Sequence, residues 1–195
     1  MSFFNVSAAP NFRRSILTIK PTITTSTIQL KDASVQSRVG FRGKGVEAFL
    51  AAHQVNVPAE PNQAIMMEQG ICILRLSNSE FWVIDNNNMN HDLIQTLEQS
   101  SAGVEDVYRL YCQHSHGVFS LTGAPIRDMF AKVCGVDLSL PGFSTGSIAQ
   151  TSVARINAIV VCLSAGESES FLLLFDVASS DYFWEAISDS AAEFV

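Results

Sequence analysis

The chain has 195 residues, of which 47% are hydrophobic and 16% charged, and its net charge is −7. That length suits one domain or two small lobes sharing a core, and an acidic balance with no block of Lys or Arg excludes a binder that works by neutralising nucleic-acid phosphates. No uninterrupted apolar run approaches the roughly 20 residues of a membrane helix, and a charged fraction below the usual quarter or so favours a chain that buries surface in an assembly.

Residues 1–30 read as a leading arm or tail. Arg13-Arg14 is followed by a Thr-rich run broken at Lys20 and Pro21. It lacks the apolar core and cleavage signature of a secretory leader, so a cytoplasmic location is expected. Ile19, Ile23 and Ile28 interleave with threonines, which suits an extended segment. From Val39 the pattern tightens. Val39–Gly43 reads as a strand ending in a glycine turn, and Val46, Phe49 and Leu50 mark a helix face. The Pro-rich loop PAEPNQ follows. Ile71, Ile73, Leu74 and Leu76 form a strand, Phe81–Ile84 another, and Asn86–Asn88 a polar loop. Asn90 is placed to cap a helix through Leu93, Ile94 and Leu97.

Between Gly103 and Gln113, Val107, Arg109, Tyr111 and Gln113 alternate with Tyr108, Leu110 and Cys112, the period of a half-buried strand. Val118–Leu121 is a short apolar run before a Gly-Ala-Pro turn. Ile126, Met129, Phe130 and Val133 then repeat at helical spacing, with Pro125 at the first turn and Gly135 closing the helix. After Pro141-Gly142 a strand-rich run extends from Ala154 to Leu163, and Tyr182, Phe183 and Trp184 lie at helical spacing as core.

The order repeats. Gly43 answers to Gly123, Phe49-Leu50 to Met129-Phe130, Leu76-Ser77 to Leu163-Ser164, Phe81–Asp85 to Phe171–Asp176, and Leu93, Ile94, Leu97 to Phe183, Trp184, Ile187. The expected fold is therefore α+β: a duplicated strand-helix-strand-strand-helix unit with antiparallel sheets and packed helices. Residues 31–195 form a single duplicated domain, with repeat halves over about 38–100 and 117–195.

No catalytic motif stands out. Cys72, Cys112, Cys134 and Cys162 lack metal-ligand spacing and read as buried small hydrophobes in a reducing compartment. His114 and His116, two apart on a strand, would share a face, and a third ligand is missing. Cys112 beside either histidine would make a nucleophile pair without an orienting group. Glu80 and Asp85 flank an aromatic strand as paired carboxylates might in acid–base work, but the turn setting reads as solvated. Arg155, among Ile148, Val153 and Ile156, could pair an anion or extend along a partner surface.

Four segments taken together, RVGFRGKGVEAFLAAHQVNVPAEPN (38–62), RLSNSEFWVID (75–85), SLTGAPIRDMFAKVCGVDL (120–138) and FDVASSDYFWEAISDSAAEF (175–194), resemble the gamma subunit of heterotetrameric sarcosine oxidase. That family is similar in turn to the folate-binding domain of aminomethyltransferase-like proteins. The resemblance implies a non-catalytic cytoplasmic subunit, with no cofactor or metal of its own. Its partners would be alpha and beta subunits carrying flavins, NAD and the tetrahydrofolate site, and the complex would demethylate sarcosine oxidatively to glycine. The alternative is a free-standing folate-binding or aminomethyltransferase-like protein. The matched pattern positions are Glu80, Gln150, Thr151 and Arg155, with no catalytic role attached. Gln113 stands where relatives carry an Asp.

Overall fold

The structure, a computed structural model, describes residues 13–17, 22–25, 27–165 and 168–194. Two compact units form. The first comprises Val35–Ser115 with Arg13 and Arg14; the second comprises Ser15–Ser34 and His116–Val195. The N-terminal arm expected over residues 1–30 lies partly outside the described residues. Within them, Thr22–Thr24 and Gln29–Asp32 are strands, the second of which crosses the expected boundary at residue 30.

In chain order the first unit carries β3 (Arg38–Arg42), α1 (Val46–Ala52), β4 (Gln63–Met66), β5 (Ile71–Arg75), β6 (Glu80–Asp85), α2 (His91–Ser100), β7 (Tyr108–Leu110) and the single-turn α3 (Cys112–Ser115). The second carries β1 (Thr22–Thr24), β2 (Gln29–Asp32), β8 (His116–Thr122), α4 (Ile126–Val133), β9 (Ile148–Val153), β10 (Ile156–Ala165), β11 (Ser168–Asp176) and α5 (Ser180–Ala191). The sheets run β4-β5-β6-β3-β7 and β9-β10-β11-β8-β2-β1, antiparallel throughout. Strands β3 to β6 and β8 to β11 thus hold matching places. The duplication and the antiparallel α+β class stand, and each copy has one more strand than its sequence pattern counts. These are β4, which begins at the end of the supposed loop PAEPNQ, and β9.

The two copies interleave in sequence. Strand β2 precedes β3 in the chain but pairs with β8, Leu30 opposite Leu121. Strand β7 precedes β8 but pairs with β3, Arg109 opposite Phe41. Each copy's first strand is completed by the segment that leads into the other copy. Glycine makes the close approach possible. Gly43 and Gly123 have φ of 137° and 139°, and a Cβ on either would lie 1.9 Å from the Asp106 carbonyl oxygen or 2.1 Å from that of Thr27.

The second core centres on Phe119, whose ring is 4.4 Å from Phe175 and 5.1 Å from Trp184. Leu30 of the exchanged strand is fully buried with it. The first core gathers Val39, Phe41, Phe49, Leu50 and Leu97, with the Phe41 and Phe49 rings edge-on at 5.3 Å. A buried arginine holds the incoming segment here. Arg38, 1% exposed, donates through Nε to Cys112 O at 3.3 Å and through its terminal nitrogens to Gln36 O and Gln113 O. Its own N–H donates to Gln113 Oε1 at 2.9 Å. A buried guanidinium is tolerable only with its donors satisfied, and this one is satisfied by backbone carbonyls of the crossover.

A second arginine recurs in each copy from a different position. Arg75 on β5 lies 5.2 Å over Phe81 and donates to Pro58 O and Ala59 O. Arg127 on α4 lies 5.3 Å over Phe171, the repeat partner of Phe81, and donates to Leu138 O and Phe143 O. Both tie the loop after the first helix to the sheet. Arg75 pairs with Glu47, 3.6 Å away, and position 127 is the repeat counterpart of Glu47. Charge is reversed across the copies while the clamp is kept, and Glu169 supplies the second copy's carboxylate at 2.7 Å.

Several local expectations change. Cys112 and His114 lie on α3 and His116 opens β8, so the two histidines share no strand face. The strand expected over 103–113 is only Tyr108–Leu110. The run 154–163 is not one strand from its first residue: Ala154 and Arg155, φ 46° and 68°, form the turn of the β9–β10 hairpin. Gly135 does not close α4 through a left-handed turn. The helix ends as Cys134 becomes extended and bridges to Val153.

Gly43→Ala and Gly123→Ala should each destabilise by more than about 2 kcal/mol, because strain and backbone collision add. Gly103→Ala, at φ 81° with open space around it, should cost about 1 kcal/mol. Urea denaturation ranks them; equal small losses would show that the crossing carbonyls yield freely.

Candidate functional site

Strand–glycine–helix turns are where an α/β chain can cradle a phosphate. The described residues hold two, at Gly43 and Gly123. In both, the space freed by the missing side chain is filled by a carbonyl oxygen of the exchanged segment. Acceptor oxygens there oppose a phosphate, so neither turn fits a dinucleotide.

The four pattern positions separate. Glu80 begins β6 in the first unit, directly across from Arg42. It accepts from Arg42 Nε at 3.0 Å and from Trp82 Nε1 at 3.1 Å. Arg42 is 61% exposed, so this pair contributes at most about 1 kcal/mol. The other three lie in the second unit. Gln150 and Thr151, adjacent on β9, line a shallow hollow of about 320 Å³ with His116, Asn157, Ile159 and Leu174. Arg155 is exposed at the hairpin tip and does not line it.

Glu80 and Asp85 are no catalytic pair: they stand at opposite ends of β6, about 17 Å apart at strand spacing. Asp85 is fully buried rather than solvated. Its carboxylate accepts from Asn90 N at 2.7 Å and Asn90 Nδ2 at 3.1 Å. Asn90 therefore sits at the N-cap of α2 but spends its side chain elsewhere, on Asp85 and on Gln69 O at 3.0 Å. Asn88 and Asn86 bind Ser37 N and Gln36. The Asn-rich loop is a polar knot whose next residue, Met89, is left 81% exposed.

The knot borders a hollow of about 740 Å³ within the first unit. Its walls come from the end of α1 (His53, Val55), the edge strand β4 and the turn after it (Ile65, Met66, Met67), and the start of α2 (Leu93). Met89 stands on its rim. Three of the chain's five methionines therefore meet at one place. Sequence reading passed over it, and the only signal was the Met66-Met67 pair beside a turn. His53 is held by Phe49 O at 2.8 Å and Ser100 Oγ at 2.9 Å.

Among the described residues no three His, Cys, Asp or Glu side chains are grouped to hold a metal, and no helix is long and apolar enough to cross a membrane. The Cys112 thiol is pushed up to about 12 by burial, partly offset by Arg38, and Cys72 to about 12 by burial alone. Neither is a thiolate at neutral pH, as a nucleophile must be. Partial burial, followed by the Arg109, Arg13 and Arg38 charges, lowers the His114 pKa below 6.5.

No family model matches the sequence, and no curated protein matches it. Solved structures do. A chain of the heterotetrameric sarcosine oxidase from Corynebacterium sp. U-96 superposes with a TM-score of 0.75 at 22% identity, over 93% of this chain and 96% of that one. The glycine cleavage system aminomethyltransferase T from Bartonella henselae superposes with a TM-score of 0.56 at 15% identity, over 83% of this chain. This chain spans only 45% of that protein. The fold is shared with both.

Cys72 and Cys112 should resist alkylation at pH 8 in the native protein and react once it is unfolded; fast native labelling would show that both segments open readily. His114 binds a proton less readily folded than unfolded. Stability should therefore be full above pH 6.5 and fall as pH drops from 6.5 towards the lowered folded value. The His114→Gln variant should flatten that slope in urea titrations repeated across pH, and an unchanged slope would assign it to other groups.

Proposed function

We propose that this chain is a gamma-like accessory subunit of a heterotetrameric sarcosine oxidase-type flavoenzyme. One observation carries the reading: the superposition runs end to end in both chains, 93% of this one and 96% of the oxidase chain. Catalysis resides in alpha and beta subunits. These carry the flavins, NAD and the tetrahydrofolate that takes up the methyl carbon as sarcosine is oxidised to glycine and dioxygen is reduced to hydrogen peroxide. Two features of the chain support a supporting role. Its glycine turns are filled by its own carbonyls, and the buried thiols of Cys72 and Cys112 stay protonated. Glu80, Gln150, Thr151 and Arg155 are, on this reading, positions of the shared pattern rather than reacting groups.

Affinity purification of the chain from its native cells tests this. Two larger chains and flavin absorbance in the eluate, with sarcosine-dependent peroxide formation, are expected. A colourless eluate that binds tetrahydrofolate on its own would transfer the case to the free-standing folate-binding alternative.

A further inference from the structure

We propose that the methionine-lined hollow of the first unit, together with the open edge of β4, takes an extended basic segment of a partner polypeptide as an added strand.

Three independent features of the first unit support this. The first is the edge. Among the described residues, strand β4 pairs with β5 alone and is the outermost strand of its sheet. Met67 N–H donates to Ile71 O at 2.8 Å, and Met67 and Ile71 continue the β4–β5 register. Antiparallel pairing alternates inward and outward groups. The odd residues Ile65 and Met67 therefore face β5, while Ala64 and Met66 turn their N–H and C=O groups away from it. Ala64 is covered and Met66 is 42% exposed, so the accessible part of the edge lies at Met66, where a further strand can begin to pair.

The second feature is what lies beside that edge. The 740 Å³ hollow is walled there by Ile65, Met66 and Met67, with Met89 on the rim. Met66 and Met89 are 42% and 81% exposed. Unbranched thioethers adapt to varied apolar side chains and suit a surface that receives a partner. A strand on β4 would direct every second side chain towards this wall.

The third is charge. Glu68 and Asp92 line the hollow, both exposed, and among the described residues no lysine or arginine lines it. The complementary occupant is a segment that alternates apolar residues with Lys or Arg. An acidic one would be repelled, and a neutral one would leave both carboxylates without counter-charge. That the partner is an oxidase subunit rests on the proposed function; the recognition chemistry does not.

Two labelled peptides test the inference on the full-length chain by fluorescence anisotropy: one alternating lysine and leucine, the other alternating glutamate and leucine. Only the lysine peptide should bind, more weakly at high salt. The double variant Glu68→Lys, Asp92→Lys should weaken it about tenfold or more. Met66→Pro deletes one outward N–H at an edge position where proline is tolerated, and should weaken it comparably. The lysine peptide N-methylated at alternate residues probes the same edge with the protein unaltered and should also lose about tenfold. No binding, or binding indifferent to both the charge and the edge changes, overturns the proposal. Sensitivity to charge with indifference to Met66→Pro and to N-methylation also overturns strand addition and leaves a simple site for amines. The subunit reading fails separately. If the wild-type chain brings down no flavoprotein while peptide binding behaves as described, the oxidase assignment is lost and the groove stands. If flavoprotein co-purifies equally with wild type and the charge variant, the groove is wrong and the assignment stands.

Discussion

Everything in this fold depends on the reciprocal loan of one strand. Strand β2 leads into the first copy but completes the second copy's sheet, and β7 does the reverse. A strand at a sheet edge must have its inward backbone groups paired, and here that pairing comes from the far copy in sequence. The loan fixes other choices. Gly43 and Gly123 stay glycine because a borrowed carbonyl oxygen lies against each. Arg38 can be buried because its guanidinium collects the carbonyls of Cys112 and Gln113 on the returning chain, and of Gln36 beside it. Gln113, at the end of the returning segment, accepts from Arg38 N–H. Leu30 belongs to the second core although it precedes every strand of the first unit in the chain.

The duplication has preserved positions in space more strictly than positions in sequence. The clamp over Phe81 and Phe171 is the clearest case. Both rings carry an arginine at nearly the same distance, and both arginines bind the loop that leaves the first helix. One comes from a strand and the other from a helix. Glu169 holds Arg127 in its charged form, raising its pKa chiefly through their hydrogen bond. What the fold requires at that spot is a cation able to satisfy several carbonyls while lying on an aromatic face.

This explains which parts of the chain were legible. The face Ile126, Met129 and Phe130 was readable because helical period and burial coincide. The repeat was readable from Gly43 and Gly123. The limits of β10 and β11 were not: IVVCL and FLLLF are apolar on both faces and carry no period of two. The turn at Ala154-Arg155 uses neither glycine nor asparagine, so nothing marked it. Strand β4 was hidden behind a proline-rich loop and has four residues. The exchange of β2 and β7 could not be read at all, since pairing between distant segments leaves no local trace. At the candidate site, Gln150 and Thr151 were found together, Arg155 and Glu80 were not, and the methionine hollow was missed because its walls come from three separate elements.

Native-state hydrogen exchange on the Leu30→Ala variant tests the loan most directly. Removing a fully buried leucine costs about 2–5 kcal/mol. The account predicts that protection falls first in β8, β10 and β11, more than eighty residues on in sequence, while β3, β5 and β6 keep theirs. Loss confined to β3, β5 and β6, the strands that follow position 30 in the chain, would contradict it.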